Sequence, residues 1–140
     1  MSIRNANFGD FETVRSLLLK EGITTNDFFT RDRYTSAIDK WGKYYLVEER
    51  EGKVVGFISG FDDGGIFYGY MGRLVVDENY RRQGVGERLA RACLQQFKES
   101  GIPIIFAGAG FDNKASQDLL RKIGFVDEGY KLMHFNTGLI

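Results

Sequence analysis

The sequence has one cysteine, one proline, one histidine and no net charge, and each shortage closes a class of explanation. With Cys93 alone, the chain forms no internal disulfide and no cysteine cluster for a metal. Cys93 falls on the apolar face of a helical stretch, the place of a buried structural thiol rather than a nucleophile. His134 lies in an expected C-terminal strand with no Cys or His companion nearby, so no metal site is expected. Pro103 is the sole proline, and no Pro/Ser linker, low-complexity run or repeat divides the chain, so 1–140 reads as one domain. Lysine plus arginine (19) balance aspartate plus glutamate (19), which leaves no broad basic face for nucleic acid. No apolar run approaches the ~18 residues that cross a bilayer. The start, Met1-Ser2-Ile3-Arg4, lacks a signal-type apolar segment. The expected setting is therefore cytoplasmic and away from membranes.

What is present is 140 residues, 43% of them hydrophobic, enough for a real core. Strand character over 2–6 precedes a helix over 10–20 that buries Phe11, Val14, Leu17 and Leu18 and is closed by Gly22. A second helix over 31–41 places Tyr34, Ile38 and Trp41 on one side. Phe28, Phe29, Tyr34 and Trp41 suit a substrate groove and a core equally, and as exposed aromatics they leave room for a homodimer. Strands follow over 44–49 and 53–61, then a turn at 62–65 and a long strand over 66–76. Simple alternation along that strand puts Tyr68, Tyr70, Gly72, Leu74 and Val76 on one face. A helix over 84–99, an apolar strand over 102–107 and a helix opened by Asp112 or Asn113 and ending at Lys122 come next. The stretches 125–127 and 130–136 read as closing strands.

The stretch Leu74-Val75-Val76 to Arg81-Arg82-Gln83-Gly84-Val85-Gly86-Glu87 carries the chemistry. An apolar strand feeds a polar connector, two arginines and two glycines at the mouth of a helix. Such a mouth presents backbone N–H groups and the positive end of the helix dipole to an anion. It suits a phosphate or pyrophosphate. The dinucleotide fingerprint fails because position 89 is Leu89, and the P-loop fails because no Lys-Ser or Lys-Thr follows the glycines. From Arg81 to Lys98 there are Arg81, Arg82, Arg88, Arg91 and Lys98 against Glu87, a basic patch of about one nucleotide's size.

Arg-x-x-Gly-x-Gly at 81–86 after this strand resembles the acyl-CoA pyrophosphate loop of the GNAT N-acetyltransferase superfamily. The resemblance extends to Ile3-Arg4-Asn5-Ala6 with Asp10 to Val14, to Lys53-Val54-Val55-Gly56-Phe57, and to Asn113-Lys114-Ala115 through Ile123-Gly124-Phe125. It implies an α/β (α+β) domain: a central mixed, mostly antiparallel sheet of six or seven strands, flanked by helices and splayed between the fourth and fifth strands. It implies acetyl-CoA as cosubstrate and direct acetyl transfer to a primary amine of a small molecule, peptide or protein in a ternary complex. Backbone groups of Leu74, Val75 and Val76 would then bind the pantetheine arm. Amides from Arg82 through Gln83, Gly84, Val85, Gly86 and Glu87 would wrap the pyrophosphate, beside Arg81. Asn113 would contact the coenzyme arm. Gly69 and Gly72 fit a bulge or close contact in the long strand, and Gly108 and Gly110 fit the same picture.

One departure bears on mechanism. The family motif often has a tyrosine seven residues after the asparagine, as the acid that protonates the leaving thiolate; here it is Leu120. Ser116 or a water would have to substitute, unless the domain binds acyl-CoA without transferring the group. The usual position of a carboxylate base corresponds to Tyr70, a phenol that is a poor base at neutral pH but able to order a relaying water. Glu48 and Glu49 lie on a nearby strand, where one should face the cleft, although ordinary strand-surface charge is the simpler reading.

Overall fold

The computed structural model describes residues 2–108, 113–127 and 136–137. Its sheet runs β1 (Ser2–Asn5), β2 (Leu46–Arg50), β3 (Lys53–Asp62), β4 (Tyr68–Val76), β5 (Ile104–Ala107), in that order. The first four strands pair antiparallel, and β5 joins β4 in parallel. Helices α1 (Phe11–Lys20), α2 (Arg31–Trp41), α3 (Val85–Glu99) and α4 (Lys114–Lys122) complete the described fold. This is the expected mixed, mostly antiparallel sheet with flanking helices.

Two apolar layers sandwich the sheet. On one face Phe11, Val14 and Leu18 of α1 meet Phe29, Tyr34, Tyr45, Val47, Phe57 and Val75. Phe11 lies 5.8 Å from Phe29 and 5.3 Å from Tyr34, ring to ring, and the Tyr34 hydroxyl donates to the Asn7 carbonyl at 2.7 Å. The aromatics of this region therefore divide. Phe29 and Tyr34 are core, Trp41 packs on Phe61 at 5.6 Å, and Phe28 stays exposed. Asp10 anchors the start of α1: it accepts the Asn7 amide at 2.8 Å and a two-pronged contact from Arg4 at 2.8 and 2.9 Å.

On the other face Val85, Leu89, Ala90, Cys93 and Phe97 of α3 pack with Leu46, Ile58 and Met71. A Cβ at Gly60 or Gly69 would stand 2.9 or 2.5 Å from the Phe97 ring, so the lack of side chains lets α3 settle onto the strands. Gly69 thus serves a close approach. Truncating a buried ring such as Phe97 to alanine costs about 3–5 kcal/mol. Cys93 is fully buried, its thiol pushed up to about 12 by that burial, as expected of a structural cysteine.

Several boundaries differ from expectation. Five strands are present among the described residues rather than six or seven: 125–127 is not a strand, and 130–135 lies outside the described residues. β4 begins at Tyr68 instead of Ile66 because the Asp63 carboxylate takes the amides of Ile66 and Phe67 at 3.0 and 2.9 Å, holding them in a turn. β5 begins at Ile104, after Pro103, which has no amide to donate.

Candidate active site

β4 is interrupted where the chemistry is expected. Its partners on β3 run Phe57↔Val75 and Ser59↔Gly72, so β3 advances two positions while β4 advances three. The extra residue is a bulge, and Arg73 within it has a left-handed backbone at φ +47°. The bulge reverses the alternation. Met71 before it and Leu74 and Val76 after it all belong to the α3 face, whereas Val75 belongs to the α1 face. Simple alternation had put Met71 and Val75 together and is corrected by this extra residue. The pairing of β4 with β5 covers 68–71 and ends at Met71↔Ala107, so among the described residues 72–76 have no strand paired on that side. That is the splay. Val75 and Val76 pair with β3 on one side, and among the described residues their other edge has no partner strand.

The strand then delivers the loop. The Asp77 amide donates to the Val55 carbonyl at 2.8 Å, and its carboxylate accepts the Asn79 amide at 2.9 Å in a tight turn. Arg82 (φ +63°) and Gly84 (φ +79°) are both left-handed, and α3 starts directly after Gly84. The amides of Val85, Gly86 and Glu87 form the first helical turn, which has no earlier carbonyl to bond within the helix. A Cβ on Gly86 would stand 3.7 Å from Leu74, Val76 and Leu119, so the helix mouth adjoins the splay.

The charges around the loop are mostly engaged, which corrects the expected basic patch. Arg81 pairs with Glu21, Arg91 with Glu87 at 2.9 Å, and Lys122 with Glu87 at 2.8 Å. Arg88 grips both carboxylate oxygens of Glu48 at 2.9 Å and donates to the Gln83 carbonyl at 2.8 Å. Arg50 contacts Glu48 at 3.3 Å and also the Gln83 side chain. Among the described residues Arg82 has no ion pair, which leaves it as the loop's uncommitted guanidinium.

Glu48 is wholly buried, which corrects the surface-charge reading for it, while part-exposed Glu49 pairs with Arg4 at 3.4 Å. Burial would raise the Glu48 carboxyl, but the Arg88 hydrogen bonds and charge, with Arg50, hold it below its ordinary range. Glu48 is therefore a brace beneath the loop rather than a proton acceptor. The usable sequence signal was its position two residues after Leu46, which points both side chains to the α3 face.

Tyr70 is half-buried, stacked on Phe61 at 5.6 Å, and its ring passes so close to Gly72 that a Cβ there would meet it at 2.9 Å. The ring thus leans along β4 toward the bulge. Asn113 uses its Oδ1 to cap α4 through the Ser116 amide at 3.0 Å, leaving the donors of its amide nitrogen outside that bond. Ser116 is half-buried in the first turn of α4. Leu120 packs with Leu119, Ile123 and Phe125 against the α3 layer. Gly108 follows β5, while Gly110, Asp112 and His134 lie outside the described residues. Among the described residues no group of His, Cys, Asp and Glu could hold a metal, and no helix is long and apolar enough to cross a membrane.

Known proteins share this fold. The chain is 25% identical over 95 residues (66% of its length) to N-alpha-acetyltransferase 30 of Schizosaccharomyces pombe, and the match spans 63% of that relative. The crystal structure of Ard1 from Thermoplasma volcanium superposes with a TM-score of 0.79 at 26% identity, covering 89% of this chain and 82% of that one. The fold also matches aminoglycoside N-acetyltransferase AAC(6')-Iy in complex with CoA, with a TM-score of 0.79 at 16% identity over 97% of this chain and 94% of the other. The description "Acetyltransferase (GNAT) family" fits residues 11–125, and the chain belongs to that family.

Proposed function

We propose that the chain is a single N-acetyltransferase domain that moves an acetyl group from acetyl-CoA to a primary amine within a ternary complex. The observation that carries this reading is the junction of the β4 splay with the left-handed Arg82-to-Gly84 turn at the mouth of α3. A diphosphate fits that turn. The amides from Arg82 to Glu87 supply donors, Gly84 and Gly86 keep the approach open, and Arg82 adds charge, with Arg81 and Gln83 at the rim. The edge of Leu74, Val75 and Val76 away from β3, unpaired among the described residues, suits an extended amide-bearing arm, joined by Asn113 from α4.

Acetyl-CoA supplies an acyl group already activated as a thioester. The chain's tasks are then to hold the two reactants together and to manage protons. Positioning alone is worth up to roughly 7–11 kcal/mol in well-oriented cases. As the amine nitrogen bonds the carbonyl carbon and the carbon–sulfur bond breaks, one proton leaves the nitrogen and one reaches the sulfur. Tyr70 orders the water that takes the first, and Ser116 supplies the second in place of the tyrosine that Leu120 replaces.

The position of Leu120 in an apolar cluster favours one second reading, an acyl-CoA-binding module without transfer. Turnover of acetyl-CoA over a panel of primary amines, read as free thiol, separates the two. Amine-dependent thiol release supports the transferase. Acetyl-CoA binding with no release on any amine supports the module.

A further inference from the structure

Arginines in this chain rarely lack a carboxylate. Arg4, Arg15, Arg31, Arg50, Arg81, Arg88, Arg91 and Arg121 are all salt-bridged. Arg33 spends its guanidinium on the carbonyls of Asp27 and Phe28 at 3.2 and 3.4 Å. Arg82 belongs to the loop proposed for the diphosphate. Arg73 has no ion pair among the described residues, although it occupies a half-buried position in the middle of the domain.

Arg73 is the bulge residue of β4. Its left-handed backbone sends the side chain to the α1 face, where the guanidinium lies 5.1 Å from the centre of the Phe28 ring. Together with Thr24, Thr25, Asp27 and Asn136 these two residues line a cleft of about 450 Å³. The Thr24 hydroxyl oxygen is enclosed there with no hydrogen-bond partner among the described residues. The cleft meets β4 at Arg73, the bulge residue next in the chain to Gly72, over which the Tyr70 ring leans. On the transferase reading, a molecule held in it lies at the β4 bulge, next to the stretch assigned to the acyl arm.

We propose that this cleft receives the acceptor, and that Arg73 selects a primary amine bearing a carboxylate near it. The proposal rests on the transferase reading above. A carboxylate matches the fork of a guanidinium through two charge-assisted hydrogen bonds. Asp27 contributes the opposite charge to the same lining, so the cleft suits a ligand that carries both signs. A polycation meets Arg73 with Arg33 behind the same ring, at 5.8 Å, and is disfavoured. The chemistry is shared by a free amino acid and by a peptide whose first side chain is acidic.

The test is acetyl transfer by the whole chain to three matched small amines: 4-aminobutyrate, its amide and 1,4-diaminobutane. Peptides beginning with Glu or with Gln form a second arm. The expected result is kcat/KM about 10- to 100-fold higher for the carboxylate than for its amide, mostly through KM, as for one charged hydrogen-bonded contact. Arg73→Met should erase that ratio, and Arg73→Glu should shift preference to the diamine. A Glu-over-Gln preference confined to peptides identifies the peptide source, and one confined to the small amines the free acid. Equal kcat/KM across the charge series in the parent overturns the proposal and leaves the transferase reading standing. So does a preference that survives Arg73→Met. No transfer to any amine, with acetyl-CoA bound, overturns that reading and this inference with it.

Discussion

Arg88 at the start of α3 holds buried Glu48 of β2 through two hydrogen bonds of 2.9 Å, and a third from the same guanidinium, 2.8 Å, reaches the Gln83 carbonyl. The loop proposed for the diphosphate is therefore anchored from beneath to the central sheet. Removing one member of a buried pair leaves the other desolvated without compensation, but the Arg88 side chain is 32% exposed and water softens its loss. Glu48→Gln is expected to cost about 2 kcal/mol and to weaken CoA binding. Arg88→Lys should weaken CoA more than it lowers stability, because an ammonium cannot reproduce the fork. Thermal melts and calorimetric CoA titrations of both variants check this.

The same pair sets an acid limit. Glu48 has its carboxyl lowered in the folded chain from the ordinary 4.5, and Asp10, paired with Arg4, from 3.8. A depressed folded value means the stabilisation is complete above these ordinary values and is lost as pH falls through the lower folded ones. Stability should thus be flat with respect to these groups from neutral pH to about pH 5 and decline below it. Glu48→Gln, measured by urea unfolding at a series of pH values, should show a shallower acid decline than the parent. Identical acid slopes would remove Glu48 from the account.

Gly84 and Gly86 should behave differently. A Cβ at Gly84 would stand 2.8 Å from the Arg88 guanidinium on a left-handed backbone, whereas one at Gly86 meets ordinary contacts at 3.7 Å. Gly84→Ala is expected to cost about 1–2 kcal/mol and to reduce CoA affinity by dislodging Arg88. Gly86→Ala should fold normally. Gly86→Glu should destabilise the chain, since its carboxylate enters among Leu74, Val76 and Leu119. Calorimetry with CoA, alongside melting, separates the three.

Salt dependence tests which arginine acts by charge. Because Arg81 and Arg88 already have carboxylates, Arg82→Ala should flatten the salt dependence of CoA affinity more than Arg81→Ala does. Screening at physiological strength acts over about 8 Å, enough to weaken an exposed guanidinium. Salt-independent binding in the parent would assign the phosphates to backbone amides alone.

Proton handling has its own series. Ser116→Ala should lower turnover about 10-fold if its hydroxyl replaces the usual phenol, and Leu120→Tyr should restore it in that background. Tyr70→Phe keeps the ring on Gly72 and removes only the hydroxyl. Steady-state kinetics on one amine, with CoA affinity measured in parallel, distinguishes lost proton transfer from lost binding.

The legible part of this protein was local in sequence. The run from Leu74 to Gly86 showed strand, turn and helix mouth in one window, and Phe11, Val14 and Leu18 marked a buried helix face by spacing. Gly72 marked a bulge or close contact in the long strand, but its exact place at Arg73 and the reversed alternation after it were not legible, because they are set by the register of β4 against β3. Glu48 and Arg88 are distant in sequence, so their union needed the fold before an apparent surface charge became a buried brace. Phe28 and Phe29 are neighbours of the same type, yet one is core and the other rims a cleft, a distinction made by the turn that carries them.

The most direct test of the central claim is to incubate the purified chain with acetyl-CoA and a primary amine and to measure free thiol and N-acetylated product together. Cys93 is buried, so thiol reagents should report released CoA without reacting with the native chain. The account predicts equal amounts of thiol and acetylamine, both lost in Gly84→Ala in proportion to lost CoA affinity. Thiol release without acetylamine, or full transfer in a variant that no longer binds CoA at this loop, would contradict it.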